Sequence, residues 1–217
     1  EYVEGGVATY INDLLEYQAK STEIMNINLL LSTQNKKNNF NLPQDQIYLY
    51  NFTRCSRNIV NVFKAIFQIR STINRLNPDI IHIHSTFAGF LTRIIFFFNK
   101  KTAKVIYCAH GWAFNMEVSI FKAKIYGLIE RILAWKTDII INISMFEYNT
   151  ALNFKIPKEK LVVIYNGSRE SLYTELKYKN VLDKNLINVL FVGRFDKQKG
   201  LDILLELFKK YSFNNIK

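Results

Sequence analysis

The chain has 217 residues, of which 49% are hydrophobic and 14% aromatic, so it can bury a sizeable core and is not a disordered chain. Its most apolar run, Ile94–Phe98, is far too short to cross a bilayer. Cys55 and Cys108 lack metal or redox spacing, which favours reduced packing cysteines in a cytosolic protein. Glu1 is not a methionine and no signal peptide is visible, so we expect a fragment boundary at the start.

The net charge of +11 is distributed unevenly along the chain. Residues 1–50 sum to −3, residues 51–136 to +10 and residues 137–217 to +4. The middle third therefore predicts an anionic partner, and both a nucleic acid and an acidic lipid surface fit this charge.

The N-terminal stretch combines two glycines with a helical pattern. Gly5 and Gly6 directly precede apolar residues that recur at helical spacing from Val7 onward. Glycines at this place let a ligand approach the backbone closely, although a Gly-Gly pair also forms ordinary turns. Two strands are predicted next, at Ile24–Leu31 and Ile47–Phe52.

A long helix is predicted at about Ser56–Leu76. One of its faces is polar and basic and carries Arg57, Asn61, Lys64, Gln68, Ser71 and Arg75. The opposite, core-facing side is apolar and carries Ile59, Val62, Ile66, Ile69 and Ile73. The pattern fits a core helix with a solvated face, or a helix whose Arg57, Lys64 and Arg75 meet acidic lipid headgroups. A second basic helix, within Phe114–Lys136, adds Lys124 and Arg131 to these membrane-facing candidates.

The next predicted strand carries a His-x-His pair. Strand alternation places His82 and His84 on the same side. The pair could bind zinc, but no third ligand follows at a suitable spacing, so we expect no metal. Ser85 then caps a predicted helix at Thr86–Phe98.

A histidine follows the predicted strand Lys104–Ala109. His110 lies at its carboxyl end, where open α/β sheets bind ligands, although a packed loop residue is the plainer interpretation. A strand at Thr137–Ser144, a helix at Glu147–Phe154 and a strand entering the turn Asn166–Gly167 complete the alternation. This order predicts a doubly wound parallel sheet.

Near the end of the chain a basic loop joins an apolar run to a helix. Val189–Val192 reads as a buried strand, and Gly193 interrupts it. Arg194 and Lys199 precede Gly200, which opens an apolar helix. A helix N-terminus beside two cations suits a diphosphate, while an ordinary solvated loop remains the alternative.

This loop resembles a known family. The run Gly-Arg-Phe-Asp-Lys-Gln-Lys-Gly at 193–200, with the leucines after it, is similar to the opening of the nucleotide-sugar domain in GT-B retaining glycosyltransferases of family 4. The resemblance implies that Arg194 and Lys199 bind the donor diphosphate and that His110 contacts the donor sugar. Further donor- or acceptor-binding candidates under this resemblance are Gly5, Gly6, Asn166, Gly193 and Gly200.

The resemblance also implies a division into domains. An N-terminal acceptor-side Rossmann-like domain would span 1–167, a linker 168–186, and the first βα unit of the nucleotide-sugar domain 187–217. The family's pair of glutamates, eight positions apart, has no counterpart after Gly200, where Glu206 is the sole glutamate. We therefore expect a chain that is truncated in its second domain.

The expected activity is transfer of a hexose-type sugar, with retention, from a nucleotide diphosphate donor to a hydroxyl. The resemblance implies no metal and no cofactor, an acceptor such as a lipid-linked saccharide or a surface polysaccharide precursor, and a cytoplasmic location at the inner membrane face. The alternatives are an incomplete fragment that binds membrane or acceptor only, and a GT-B-like sugar-nucleotide epimerase. A nucleic-acid binder is disfavoured because no binding motif is present.

Overall fold

A computed structural model describes residues 6–33, 46–53, 58–167, 189–193, 195 and 199–211. The chain divides into two compact units, Glu1–Gly167 and Ser168–Lys217. The helices of the first unit are α1 Gly6–Ala19, α2 Ile59–Leu76, α3 Thr86–Phe98, α4 Ile120–Ala134 and α5 Met145–Asn153. Its strands are β1 Ile27–Ser32, β2 Ile47–Phe52, β3 Ile80–His84, β4 Lys104–Cys108, β5 Ile139–Asn142 and β6 Leu161–Val163. The described part of the second unit contains the helix α6, Leu201–Lys210.

All strand pairs in the described residues are parallel. β1 pairs with β2, and a second sheet has the order β3-β4-β5-β6. Because parallel crossovers are right-handed and each step moves in the same direction, α3, α4 and α5 share one face of the four-stranded sheet. The predicted α/β class with a parallel Rossmann-like sheet is confirmed.

Polar caps define where the helices begin. The side chain of Asn58 accepts a hydrogen bond from the Asn61 N–H at 2.9 Å at the start of α2. Ser85, Ser119 and Ser144 cap α3, α4 and α5 in the same way, three residues ahead of their N–H donors. These hydroxyls satisfy N–H groups that a helix leaves unpaired, and the predicted cap at Ser85 is confirmed.

Two local predictions were wrong. Residues 189–193 form no strand in the described part of the second unit, and Leu190 is 86% exposed. An apolar run forms a strand only when a neighbour pairs with its backbone, and no strand is described in that unit. On α2, Ile59 was placed on the buried side, but its side chain is exposed because the core-facing stripe of the helix is centred on Ala65 and Ile69.

The main core of the first unit lies between the four-stranded sheet and its helices. Val105, Tyr107, Ile140 and Trp112 are almost fully buried within it. Cys108 is also buried, and burial raises the pKa of its thiol to about 12, which fits the predicted packing role. Cys55 lies outside the described residues.

An ion pair is buried within this core. Arg93 of α3 donates from Nη2 to Oε2 of Glu130 on α4 at 2.7 Å, and both residues are at most 2% exposed. The Tyr107 hydroxyl donates to the other Glu130 oxygen at 3.2 Å, and the guanidinium lies 3.7 Å from the centre of the Tyr107 ring. Gly89 makes room for this arrangement, because a Cβ there would lie 2.5 Å from Tyr107 Cε2. The network joins α3 and α4 over β4.

Removing one partner of this pair should destabilise the fold strongly. In Glu130→Ala the guanidinium of Arg93 stays buried without its carboxylate, and we expect the free energy of unfolding to fall by about 3–5 kcal/mol. Urea unfolding followed by circular dichroism measures this change. The control is Glu16→Ala, which removes an exposed partner of Lys20 and should change stability by less than about 1 kcal/mol. Similar losses in the two variants would contradict the assignment.

Candidate functional site

Polar residues collect at the carboxyl edge of the four-stranded sheet. His84 is the last residue of β3 and pairs in register with Cys108 at the end of β4. His110 follows two positions later, and Asn142 ends β5. Ligands of open parallel sheets bind at this edge.

The three histidines of the chain meet there as one histidine cluster, formed by His82, His84 and His110. His84 Nδ1 and His110 Nε2 are 3.0 Å apart, so one of the two nitrogens donates a hydrogen bond to the other. The ring centres of His82 and His84 are 4.2 Å apart, which confirms that they share a side of β3. The cluster therefore joins the His-x-His pair of β3 to His110, which lies 26 positions beyond His84 in the sequence.

Helix α1 contributes a tyrosine to the same place. The Tyr10 ring centre lies 4.7 Å from that of His110 and 5.7 Å from that of His84, both in edge contact. Tyr10 follows Gly6, the first residue of α1, by one helical turn. Tyr10 falls on the apolar stripe of α1, and its distance in sequence from the histidines gave no sign of this contact.

The backbone at His110 is held in an unusual conformation. Its φ is +53°, in the left-handed region, and that of Gly111 is +115°. The next residue, Trp112, is 1% exposed, and its indole N–H is shared between Asn142 Oδ1 at 3.3 Å and the Glu147 carbonyl at 3.2 Å. Such a conformation persists only where surrounding contacts fix it, and the tryptophan supplies those contacts.

The cluster is electrically neutral at physiological pH. Burial lowers the pKa of His82 and of His110 to about 4, each from about 6.5. Burial, together with the neighbouring His82 and His110, lowers the pKa of His84 to about 2. Neutral imidazoles can donate and accept hydrogen bonds without repelling each other, so the site can orient a hydroxyl-bearing ligand without adding charge.

The described residues contain no group of three or more His, Cys, Asp or Glu side chains arranged to hold a metal ion. His82 Nε2 is buried and has no hydrogen-bond partner.

The remaining predicted site residues lie away from the histidine cluster or outside the described residues. Asn166 is exposed beyond the end of β6. In the second unit, the Lys199 side chain passes Gly193, where a Cβ would lie 3.5 Å from Lys199 Cγ. Gly200 caps α6 with a left-handed φ of +66°. Gly5 and Arg194 lie outside the described residues, so their predicted roles remain predictions.

The membrane-facing candidates are exposed where they are described. Lys64, Arg75, Lys124 and Arg131 all lie on the surface of the first unit, and Arg57 falls outside the described residues. Arg75 also contacts β2, because its guanidinium lies 5.3 Å from the centre of the Tyr50 ring. Among the helices described, none has the length and apolar character needed to span a bilayer.

The neutral histidine cluster should make the fold sensitive to mild acid. Between about pH 6.5 and pH 4 the histidines of the unfolded chain become protonated, whereas the buried His82, His84 and His110 of the folded chain stay neutral. The unfolded state therefore binds more protons, and the free energy of unfolding falls as the pH falls. The raised pKa of Glu147 acts in the opposite direction and lessens the effect. We expect a lower melting temperature at about pH 5 than at about pH 7.

A variant isolates the histidine contribution. In His84→Gln the difference between the two melting temperatures should shrink, because one buried group no longer competes for a proton. All three histidines of the chain belong to the cluster, so no other imidazole contributes. An unchanged pH dependence in this variant would contradict the neutral buried state.

Comparison with protein families identifies most of the first unit. Residues 4–169 match the model of Glycosyltransferase Family 4. An uncharacterized 41.2 kDa protein in the cps region of Klebsiella pneumoniae is 41% identical over 232 aligned positions, covering the whole chain and 61% of that protein. An uncharacterized glycosyltransferase of Methanocaldococcus jannaschii is 28% identical over 77% of the chain and 42% of its own length. The chain thus spans less than two thirds of either relative.

Solved structures share the fold. Sucrose-phosphate synthase from Thermosynechococcus elongatus superposes with a TM-score of 0.72 at 16% identity, over 96% of this chain and 55% of that one. Anabaena HepE, solved in complex with UDP and glucose, gives a TM-score of 0.52 at 18% identity over 76% of this chain and 41% of its own. The GT-B architecture expected from the sequence is therefore confirmed, and the chain belongs to Glycosyltransferase Family 4.

Proposed function

We propose that this chain forms the acceptor-side domain and the start of the donor-side domain of a retaining glycosyltransferase. The enzyme would transfer a hexose-type sugar from a nucleotide diphosphate donor to a hydroxyl. The observation that carries the proposal is the neutral, fixed His110 at the carboxyl edge of the sheet of a family 4 chain. The complex of Anabaena HepE with UDP and glucose supports a nucleotide-sugar donor for the same fold.

His110 is proposed to orient the donor sugar. The imidazole is neutral and hydrogen-bonded to His84 at 3.0 Å, so its direction is fixed before a ligand arrives. A preorganised hydrogen bond of this kind places the sugar carbon for attack without reorganisation during the reaction. The Tyr10 ring contacts the imidazole from the side of α1.

The donor diphosphate is assigned to Arg194, Lys199 and the start of α6. Lys199 directly precedes Gly200, the N-cap of that helix, so its ammonium would add to the partial positive charge of the helix N-terminus. Negative charge grows on the diphosphate as the sugar leaves, and cations placed there lower the barrier. The departing phosphate would take the acceptor's proton on the same face, so the proposal needs no metal and no protein nucleophile.

The acceptor is proposed to be a lipid-linked saccharide or a surface polysaccharide precursor, used at the inner face of the cell membrane. The support is the relative from the cps region and the basic character of residues 51–136. Of the basic candidates, Lys124 and Arg131 of α4 would meet acidic headgroups there.

A second candidate is favoured by one feature of the sequence. Glu206 is the sole glutamate after Gly200, so the family's glutamate pair is absent from these 217 residues. The chain by itself would then bind acceptor or membrane without turnover. Labelled nucleotide sugars should be tested with the 217-residue chain and with a protein that continues through the second domain. Turnover by the shorter chain would refute this candidate, and turnover by neither would refute the transferase.

Substitutions in the basic loop test the donor site. In a protein that contains the whole second domain, Lys199→Ala and Arg194→Ala should each lower kcat/KM by roughly 100-fold, because each removes charge from the leaving diphosphate. Lys209→Ala, in the last turn of α6, removes a cation of the same helix and should leave kcat/KM nearly unchanged. Near-normal turnover of the loop variants would contradict the assignment, and thermal melts would check that they fold.

A further inference from the structure

Helix α4 exposes a continuous apolar stripe. Its residues follow one another at helical spacing of four, three, four and three positions, and they are Phe121, Ile125, Leu128, Ile132 and Trp135. Each is between 40% and 73% exposed. The stripe runs for about 21 Å along the helix axis. A soluble helix normally turns such a stripe to the core, so an exposed stripe of this length indicates a binding surface.

Three cations border the stripe on one side. Lys124, Arg131 and Lys155 line an open groove of about 350 Å³ together with Leu128, Asn153 and Phe154. No acidic side chain lines this groove. The groove thus places positive charge directly beside apolar surface.

The wall of the groove is rigid. Phe154 packs so closely over Gly127 of α4 that a Cβ at Gly127 would lie 2.0 Å from its ring. The Phe154 ring also packs against Phe114, whose ring centre is 4.2 Å away. Lys155 follows with a left-handed φ of +60°, which turns the chain away from α5. The cations are therefore carried by elements that are fixed to each other.

The charges around the stripe select the partner. Across α2, α3 and α4 the sole acidic residue is Glu130, which is buried against Arg93. The exposed charges of these helices are consequently all positive. A second copy of the chain would bring like charges together, so the charge argues against self-association through this face. A nucleic acid would use the cations but would leave the apolar stripe in water.

We propose that the α4 surface, formed by this stripe and its bordering cations, docks on an anionic phospholipid bilayer. Phosphate groups of the headgroups would contact Lys124, Arg131 and Lys155, and the stripe would enter the boundary between headgroups and acyl chains. Trp135 lies at one end of the stripe, and tryptophan favours that boundary. The inference deepens the proposed membrane association by naming the surface, and it rests on that part of the proposed function.

Helix α2 provides the comparison. Its exposed apolar residues, Ile59, Val60, Phe63 and Phe67, lie only in its first half. Its last cation, Arg75, lies against Tyr50. The groove beside α2 contains one cation, Arg70, whereas the groove beside α4 contains three. Because α2 also lacks an exposed apolar stripe along its whole length, we assign docking to α4.

Vesicle flotation with the whole chain tests the proposal. The chain should float with vesicles of about one third phosphatidylglycerol in phosphatidylcholine, and it should not float with vesicles of phosphatidylcholine alone. Lys124→Ala with Arg131→Ala should weaken binding about fivefold for each cation removed. Leu128→Ser with Ile132→Ser should weaken binding further and reduce its resistance to salt. Both pairs are exposed, so the melting temperature should change little.

Matched changes on α2 are the control. Lys64→Ala with Arg70→Ala, and Phe63→Ser with Phe67→Ser, remove the same kinds of side chain from exposed positions and should leave vesicle binding within about twofold. Equal losses from α2 and α4 would overturn the assignment. So would failure of the unchanged chain to float with anionic vesicles, salt-sensitive binding to RNA in place of vesicles, or a dimer that the α4 changes dissolve.

A further measurement separates this inference from the proposed chemistry. Turnover of nucleotide sugar in vesicle-free buffer reports on the donor site alone. Turnover by an unsubstituted protein that does not bind anionic vesicles would overturn the docking surface and leave the transferase in place. Vesicle binding without turnover, in a protein that contains the whole second domain, would overturn the transferase and support the docking surface.

Discussion

The indole of Trp112 joins the end of β5 and the first turn of α5 to the turn that carries His110. Its single N–H is shared by an amide oxygen of Asn142 and the carbonyl of Glu147, while its ring is stacked on Phe114. The left-handed turn before it is unfavourable for a histidine and depends on this anchor. The hydrogen bond between His110 and His84, the neutrality of the cluster and the contact with Tyr10 all require that turn to stay in place.

The first unit has two surfaces of different chemical character. The carboxyl edge of the sheet presents neutral, buried rings, whereas the helix layer presents cations and exposed apolar side chains. The buried pair of Arg93 and Glu130 lies in the core between them and joins α3 to α4. Under the proposed function, this division would let one domain hold a sugar at its neutral edge and a lipid headgroup at its basic surface.

Periodicity in the sequence predicted the helices and parallel strands, and strand alternation placed His82 and His84 on one side, because both depend on local geometry. Contacts between residues far apart in the sequence could not be predicted from these local patterns. Arg93 and Glu130 are 37 positions apart, and Tyr10 meets His110 across almost half the chain. A sequence pattern records the apolar face of α4 but not whether anything covers it, so the exposure of its stripe could not be predicted. The strand predicted at Val189–Val192 failed for the related reason that pairing requires a neighbour.

The backbone conformation of His110 also limits which amino acids evolution or design can place there. At a φ of +53° glycine is unstrained, asparagine and aspartate are tolerated, and valine, isoleucine and threonine are excluded by their branched side chains. Asparagine would keep the turn and a hydrogen-bonding group while shortening its reach. The position therefore accepts a narrow set of residues for reasons of backbone geometry, so a histidine retained among relatives would reflect the turn as well as the chemistry of the ring.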